Sequence, residues 1–263
     1  MKLAIVGKGG VGKTTLAAAL ARRSGARNRA VIAVDADPDG NLAAALGVAE
    51  DRVPAPIVQM KELIRERTGA GETGGGLMFT LNPRVDDLPD RFSVDARGVR
   101  LFVLGTVETG GQGCMCPAGA VLKALLQHLL LRVPDDVILD MEAGLEHLGR
   151  ASARGVDAMI AVVEPGMRSV QTARRVKSLS ADIGITSPFV VANRIRSRDQ
   201  EDALRESLDG FTILGSIPYC PELVSTDLAG LPVELGQGPF AEAIDRIGEA
   251  LEQRWSPTPA KAD

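Results

Sequence analysis

The sequence predicts an α/β protein: one doubly wound, mostly parallel sheet flanked by helices. Three observations carry that prediction. The chain opens on a short apolar run, Leu3 to Val6, followed by a glycine-rich loop and a helix-forming run from Leu16 to Arg23. Apolar, β-branched runs then alternate with helical stretches, the pattern of a parallel sheet with crossover helices. No repeat or linker interrupts the alternation, so residues 1–255 read as one domain and the Pro- and Ala-rich residues 256–263 as a disordered tail.

The first element decides the chemistry. Gly7, Gly12, Lys13 and Thr14 satisfy the phosphate-loop pattern G-x-x-x-x-G-K-[ST]. Glycines let the backbone of Gly7, Lys8, Gly9, Gly10, Val11 and Gly12 wrap phosphate oxygens with its N–H groups, and the following helix adds its positive dipole end. Lys13 would reach the β- and γ-phosphates, and the Thr14 hydroxyl would take a place on Mg²⁺, with Thr15 beside it. Gly7, Gly9 and Gly12 also satisfy the dinucleotide fingerprint, and Asp35 stands about where a ribose-binding acid would. Lys13 and Thr14 separate the readings, because a triphosphate with magnesium needs that lysine and hydroxyl and a dinucleotide does not.

Composition sets outer limits. With 263 residues and 45% apolar content the chain can bury a large sheet, and no apolar run approaches the ~20 residues of a membrane-spanning helix. The expectation is no leader and no membrane partner. A net charge of −4 argues against non-specific nucleic-acid binding. Three cysteines in so long a chain make no disulfide framework, which predicts a reducing, cytoplasmic setting.

Ala30 to Val34 reads as the second strand and ends in Asp35-Ala36-Asp37-Pro38-Asp39-Gly40-Asn41. Acids at the C-terminal end of a parallel strand lie beside the phosphate loop. Asp35 is placed to support Mg²⁺ or the loop, while Asp39 or Asn41 suits capping of a helix starting near Asn41. Met60 to Thr68 predicts a short helix, and the glycine-rich 69–76 a surface loop with no evident chemistry. Val99 to Gly105 is a further strand.

Ahead of a helix over Ala118 to Leu131 stand Cys114-Met115-Cys116. In an extended chain thiols at i and i+2 project to one side, and a pair of thiolates is a soft, bidentate metal grip. Two ligands seldom make a tight site; a twofold dimer would supply four sulfurs, suited to Zn²⁺, Ni²⁺ or an iron–sulfur cluster. Val137 to Asp140 is the next strand, and its terminal acid suits a role at Mg²⁺ through water. His147 and His128 read as structural, and Cys220 as a packing or loop residue. Ala158 to Val163 is a strand leading into a helix from Met167 to Ser180. Strands over Phe189 to Asn193 and Phe211 to Ile217 follow, and a helix from Phe240 to Arg254 with apolar Phe240, Ile244, Ile247 and Leu251 closes the fold.

The run Lys8-Gly9-Gly10-Val11-Gly12-Lys13-Thr14 resembles the deviant Walker A loop of the MinD/ParA/nitrogenase-iron-protein class of ATPases. That loop, Asp35-Ala36-Asp37-Pro38, Cys114-Met115-Cys116 and Asp140-Met141-Glu142-Ala143-Gly144 together resemble the CooC-type ATPases that assist nickel insertion into carbon monoxide dehydrogenase. The resemblance implies hydrolysis of ATP to ADP in a homodimer. Lys8 would reach the partner's nucleotide, Asp37 would polarise the attacking water, and Asn193 and the segment at Pro218 would line the base pocket. It also implies nickel or zinc on Cys114 and Cys116 at the dimer interface, residues 141–147 as the second switch, and carbon monoxide dehydrogenase as the client. The other readings are a positioning or partition ATPase, an iron–sulfur reductase and a dinucleotide oxidoreductase.

Overall fold

The computed structural model describes residues 1–71, 79–106, 116–143, 154–185 and 188–255. Among them an eight-stranded sheet runs in the order β3-β4-β2-β5-β1-β6-β7-β8. The strands are β1 (Lys2–Gly7), β2 (Val31–Ala36), β3 (Val94–Ala96), β4 (Val99–Val103), β5 (Asp136–Met141), β6 (Ala158–Val163), β7 (Phe189–Ile195) and β8 (Thr212–Pro218). All pairings are parallel except that of β3 with β4. The predicted doubly wound sheet is therefore present, with one strand more than expected.

The additional strand is a hairpin arm. Ala96 pairs with Val99, and the two intervening residues, Arg97 (φ 57°) and Gly98 (φ 85°), both take positive φ. That is the two-residue turn whose twist matches the strands it joins. With three residues, β3 is too short to show an alternating pattern.

The α-helices among the described residues are α1 (Lys13–Ala26), α2 (Leu42–Leu46), α3 (Lys61–Thr68), α4 (Leu88–Phe92), α5 (Pro117–Leu131), α6 (Met167–Asp182), α7 (Arg198–Ser207), α8 (Pro221–Leu228) and α9 (Pro239–Trp255). Successive strand side chains point to opposite faces and feed two cores. Leu3 and Ile5 pack with Leu16 of α1, Leu42 of α2, and Ile244 and Leu251 of α9. Ala4 and Val6 pack on the other face with Leu125 of α5, Val176 of α6 and Leu204 of α7. The central strands β1, β2, β5 and β6 are buried at every position, as a parallel sheet covered on both faces requires.

A charged clamp ties the first and last helices. Arg23 of α1 is 5% exposed and pairs with Asp245 at 2.9 Å and Glu252 at 2.7 Å, both on α9. The guanidinium fits there because residue 248 is glycine: a β-carbon on Gly248 would lie 2.3 Å from the Arg23 Cζ.

Candidate active site

The chain reverses its winding at β1, with β5 on one side and β6 on the other, and ligands of open α/β sheets bind outside the strand ends at such a point. The phosphate loop fills this crevice between β1 and α1. Gly12 sits in the left-handed region (φ 93°), and a β-carbon there would lie 2.4 Å from the Asn193 Nδ2. At Gly7 the demand is close packing: a β-carbon would meet the Val162 carbonyl oxygen at 2.8 Å. Asn193, at the end of β7, donates from Nδ2 to the Val11 carbonyl at 2.7 Å, and its Oδ1 accepts the Arg194 N–H at 2.9 Å. Its side-chain amide thus buttresses the phosphate loop.

Asp35 at the end of β2, Asp37 just beyond it and Asp140 of β5 gather beside the phosphate loop, and Asp37 pairs with Lys13. Lys13 Nζ lies 3.2 Å from Asp37 Oδ2, and both side chains are 7% exposed. Asp37 Oδ1 accepts the Asp39 N–H at 3.0 Å, fixing the carboxylate. Asp35 spends both oxygens on backbone: Oδ1 accepts the Asp37 N–H at 3.2 Å and Oδ2 the Leu42 N–H at 3.0 Å. The first turn of α2 is therefore held by Asp35, where the sequence suggested Asp39 or Asn41. Burial pushes the Asp35 carboxyl up to about 6, against the pull of those two N–H groups.

Asp140 is the most exposed to consequence. It stands opposite Asp35 in the β2–β5 register, is 0% accessible, and neither carboxylate oxygen has a partner at full hydrogen-bond geometry. The Thr14 hydroxyl is near enough to favour its charged form. Burial, reinforced by Asp35, still pushes the carboxyl up to about 7. A buried, under-satisfied carboxylate beside a threonine hydroxyl offers two of the oxygen donors that a hard divalent cation takes, substrate phosphates and water being able to supply the rest.

Lys8, Gly9 and Gly10 are exposed on the outer turn of the loop. A cavity of about 360 Å³ lies over it, lined by Gly9, Gly10, Lys13, Thr14, Thr15 and Asp37 on one side. Arg194 and residues of α8 and its following strap, among them Leu223, Asp227 and Val233, form the other side. A smaller one of about 120 Å³ continues from it between Asn193, Pro218, Tyr219 and α8. Tyr219 is fixed there by the Arg196 guanidinium, 3.5 Å from its ring centre.

Arg194, α8 and the strap were not singled out in the sequence. Arg194 takes φ 59° and pairs with Glu164 at 3.1 Å. The strap is sewn to the rest of the site: the Val233 N–H donates to the Ala45 carbonyl at 2.9 Å, and Arg22 donates to the Val233 carbonyl at 2.6 Å. Pro221 at the start of α8, with Glu222 in its first turn, was the available signal.

Cys116 is the N-cap residue of α5, and its sulfur accepts the Gly119 N–H at 3.3 Å. Cys114, residues 144–147 with His147, and most of the glycine-rich 69–76 lie outside the described residues. Cys220 is half-buried at the N-cap of α8, where its thiol donates to the Pro218 carbonyl at 3.4 Å. No helix among the described residues is long and apolar enough to cross a membrane.

Fold and site define a phosphate-loop ATPase. Residues 3–233 match the CobQ/CobB/MinD/ParA nucleotide binding domain. The carbon monoxide dehydrogenase accessory protein CooC of Rhodospirillum rubrum is 46% identical over 98% of both chains. An uncharacterized ATP-binding protein of Methanocaldococcus jannaschii is 44% identical over 94% of this chain and 96% of its own. A chain of the MinC:MinD cell division protein complex of Aquifex aeolicus superposes with a TM-score of 0.70 at 22% identity, covering 97% of each chain. The chain belongs to the MinD/ParA class of nucleotide-binding proteins and, within it, to the group typified by CooC.

Proposed function

We propose that this chain is an accessory ATPase of carbon monoxide dehydrogenase that works as a homodimer and holds nickel, or zinc, between its two copies on Cys114 and Cys116. The observation that carries the metal part is Cys116 at the N-cap of α5, its sulfur turned to the start of the helix, where it accepts the Gly119 N–H. The likeness to CooC supports the client.

Hydrolysis follows from the paired charges. Lys13 and Asp37 neutralise one another across 3.2 Å. When the triphosphate enters the loop, its γ-phosphate competes for Lys13, since a phosphate carries more charge than one carboxylate. The ammonium moves to the β- and γ-oxygens, and Asp37 is left with an oxygen free to orient water for in-line attack. Asp37 stays aimed because the Asp39 N–H holds its other oxygen. Thr14 and Asp140 would hold Mg²⁺, which supplies charge neutralisation at the phosphates when bound. Lys8, exposed on the loop, is free to reach the nucleotide of a second copy. If one dimer arrangement binds metal better, a nucleotide that favours that arrangement must tighten metal binding equally.

The test is metal content under anaerobic, reducing conditions. Protein loaded with Ni²⁺ and passed over a sizing column is expected to retain about one nickel per dimer-sized particle, the stoichiometry of a four-sulfur site on a twofold axis. Cys114→Ser should lose it while still hydrolysing ATP. Wild-type protein that retains no metal with or without ATP would reduce the cysteines to packing residues and leave a dimeric ATPase of another purpose.

A further inference from the structure

The two cavities over the phosphate loop share a stretch of wall. Gly12, Thr15, Arg194, Leu223 and Asp227 line both the one at the phosphates and the one at Pro218 and Tyr219. A nucleotide with its phosphates on Lys13 and its base against Tyr219 must pass its sugar through this junction. Thr15 lies in the first turn of α1, and Arg194 is engaged by Glu164. Leu223 is apolar. Asp227 is the one remaining group with chemistry to offer, and among the described residues its carboxylate has no hydrogen-bond or ion-pair partner.

The element that carries it is built to face a ligand. Helix α8 buries none of its residues, and Leu223, Thr226 and Asp227 lie on the i, i+3, i+4 face that lines the main cavity. Thr226 spends its hydroxyl proton on the Glu222 carbonyl at 2.8 Å, which leaves Asp227 as the charged acceptor on this face. Leu228 points away, 83% exposed. A ribose presents two adjacent hydroxyl donors, and an ionised carboxylate is an acceptor with two oxygens and no donor. The same complementarity underlies acidic recognition of ribose in dinucleotide folds, though here the acid comes from a helix after the last strand.

We infer that Asp227 reads the ribose 2′- and 3′-hydroxyls and makes this ATPase selective for ribonucleotides. The inference rests on the nucleotide lying along the phosphate loop, as the proposed function has it.

Calorimetric titration of the full chain with Mg-ADP, 2′-deoxy-ADP and 3′-deoxy-ADP tests it. Wild-type protein should bind ADP about tenfold or more tightly than at least one deoxy analogue, the scale of a lost hydrogen bond to a charged group. Asp227→Ala should bring ADP down to that analogue and leave the analogue's own affinity within about twofold. Asp227→Asn, which keeps the shape, should move the same way by less. Leu228→Ala, on the outward face, should keep the wild-type ratio. Equal wild-type affinity for all three ligands, or an Asp227→Ala loss shared equally by ADP and its analogues, would overturn the inference while leaving the ATPase intact. Folded wild-type protein that binds none of them would overturn the nucleotide placement itself, and the inference with it.

Discussion

Asp140 and Asp35 face each other across neighbouring strands, and their raised pKa values make stability depend on pH. The unfolded chain gives up the Asp140 proton near 3.8, whereas the folded chain keeps it to about 7. Between those values the folded state binds more protons than the unfolded one, so this group's contribution falls as pH rises and levels off above about 7. Asp35 acts in the same direction up to about 6. Protein stripped of nucleotide and magnesium should therefore lose stability between pH 5 and pH 7.5, in proportion to the proton it must release. Asp140→Asn removes the charge, and urea unfolding should show it gaining on the wild type by on the order of 2–3 kcal/mol across that interval. The same variant should bind Mg-ATP poorly, since the carboxylate that costs stability is the one proposed to meet the cation. A variant whose stability tracks the wild type at both pH values would show that Asp140 is already ionised in the fold.

At the scale of elements, the clamp between α1 and α9 offers a direct test. Gly248→Ala gains about 1 kcal/mol of helix propensity but drives its methyl into the Arg23 guanidinium, which is held by Asp245 and Glu252. Displacing a buried, doubly paired arginine outweighs that gain, and the variant should be destabilised by about 1–2 kcal/mol. ATP turnover per folded molecule should be unchanged, because neither Arg23 nor Gly248 lines the cavities over the phosphate loop. Equal or higher melting temperature would show that the guanidinium relocates freely. The same scale explains what could be read from the sequence. Strands β1, β2, β5 and β6 are buried throughout, so each wrote an unbroken apolar run. Helix α9 buries Phe240, Ile244, Ile247 and Leu251 and was equally legible. Helix α7 buries only Leu204 and α8 buries nothing, so neither carries an apolar stripe. Their signals were local instead: Ser197, whose Oγ accepts the Gln200 N–H at 3.2 Å as an N-cap, and Pro221 at the start of α8. The phosphate loop and its acids were legible because their chemistry demands fixed residue types. The far wall, from Arg194 through α8 to Val233, was not, because its residues are ordinary until the fold carries them over the loop.

For the whole molecule, the proposed mechanism requires two copies to meet face to face at the loop. Lys8→Ala is expected to bind Mg-ATP with nearly wild-type affinity, since Lys8 stands on the outer turn and Lys13 holds the phosphates of its own chain. Turnover should fall by about a hundredfold or more, the scale of removing a cation that stabilises the transferring phosphoryl group. Turnover in the wild type should also rise with protein concentration until dimers saturate. A Lys8→Ala protein with full turnover, or a rate per chain independent of concentration, would mean that each copy works alone.

The short arm β3 bears on how such copies can meet. A bare edge at β4 would offer a row of unpaired backbone groups to any passing strand. The hairpin at Arg97 and Gly98 folds three residues back over that row, and its exposed Asp95 leaves a charged margin too short to template another strand. Strand-to-strand growth is discouraged on this side of the sheet. A solution crowded with copies of the chain would then find fewer routes to fibrous self-association through that margin, and a reversible encounter governed by nucleotide would face less competition from one that is not.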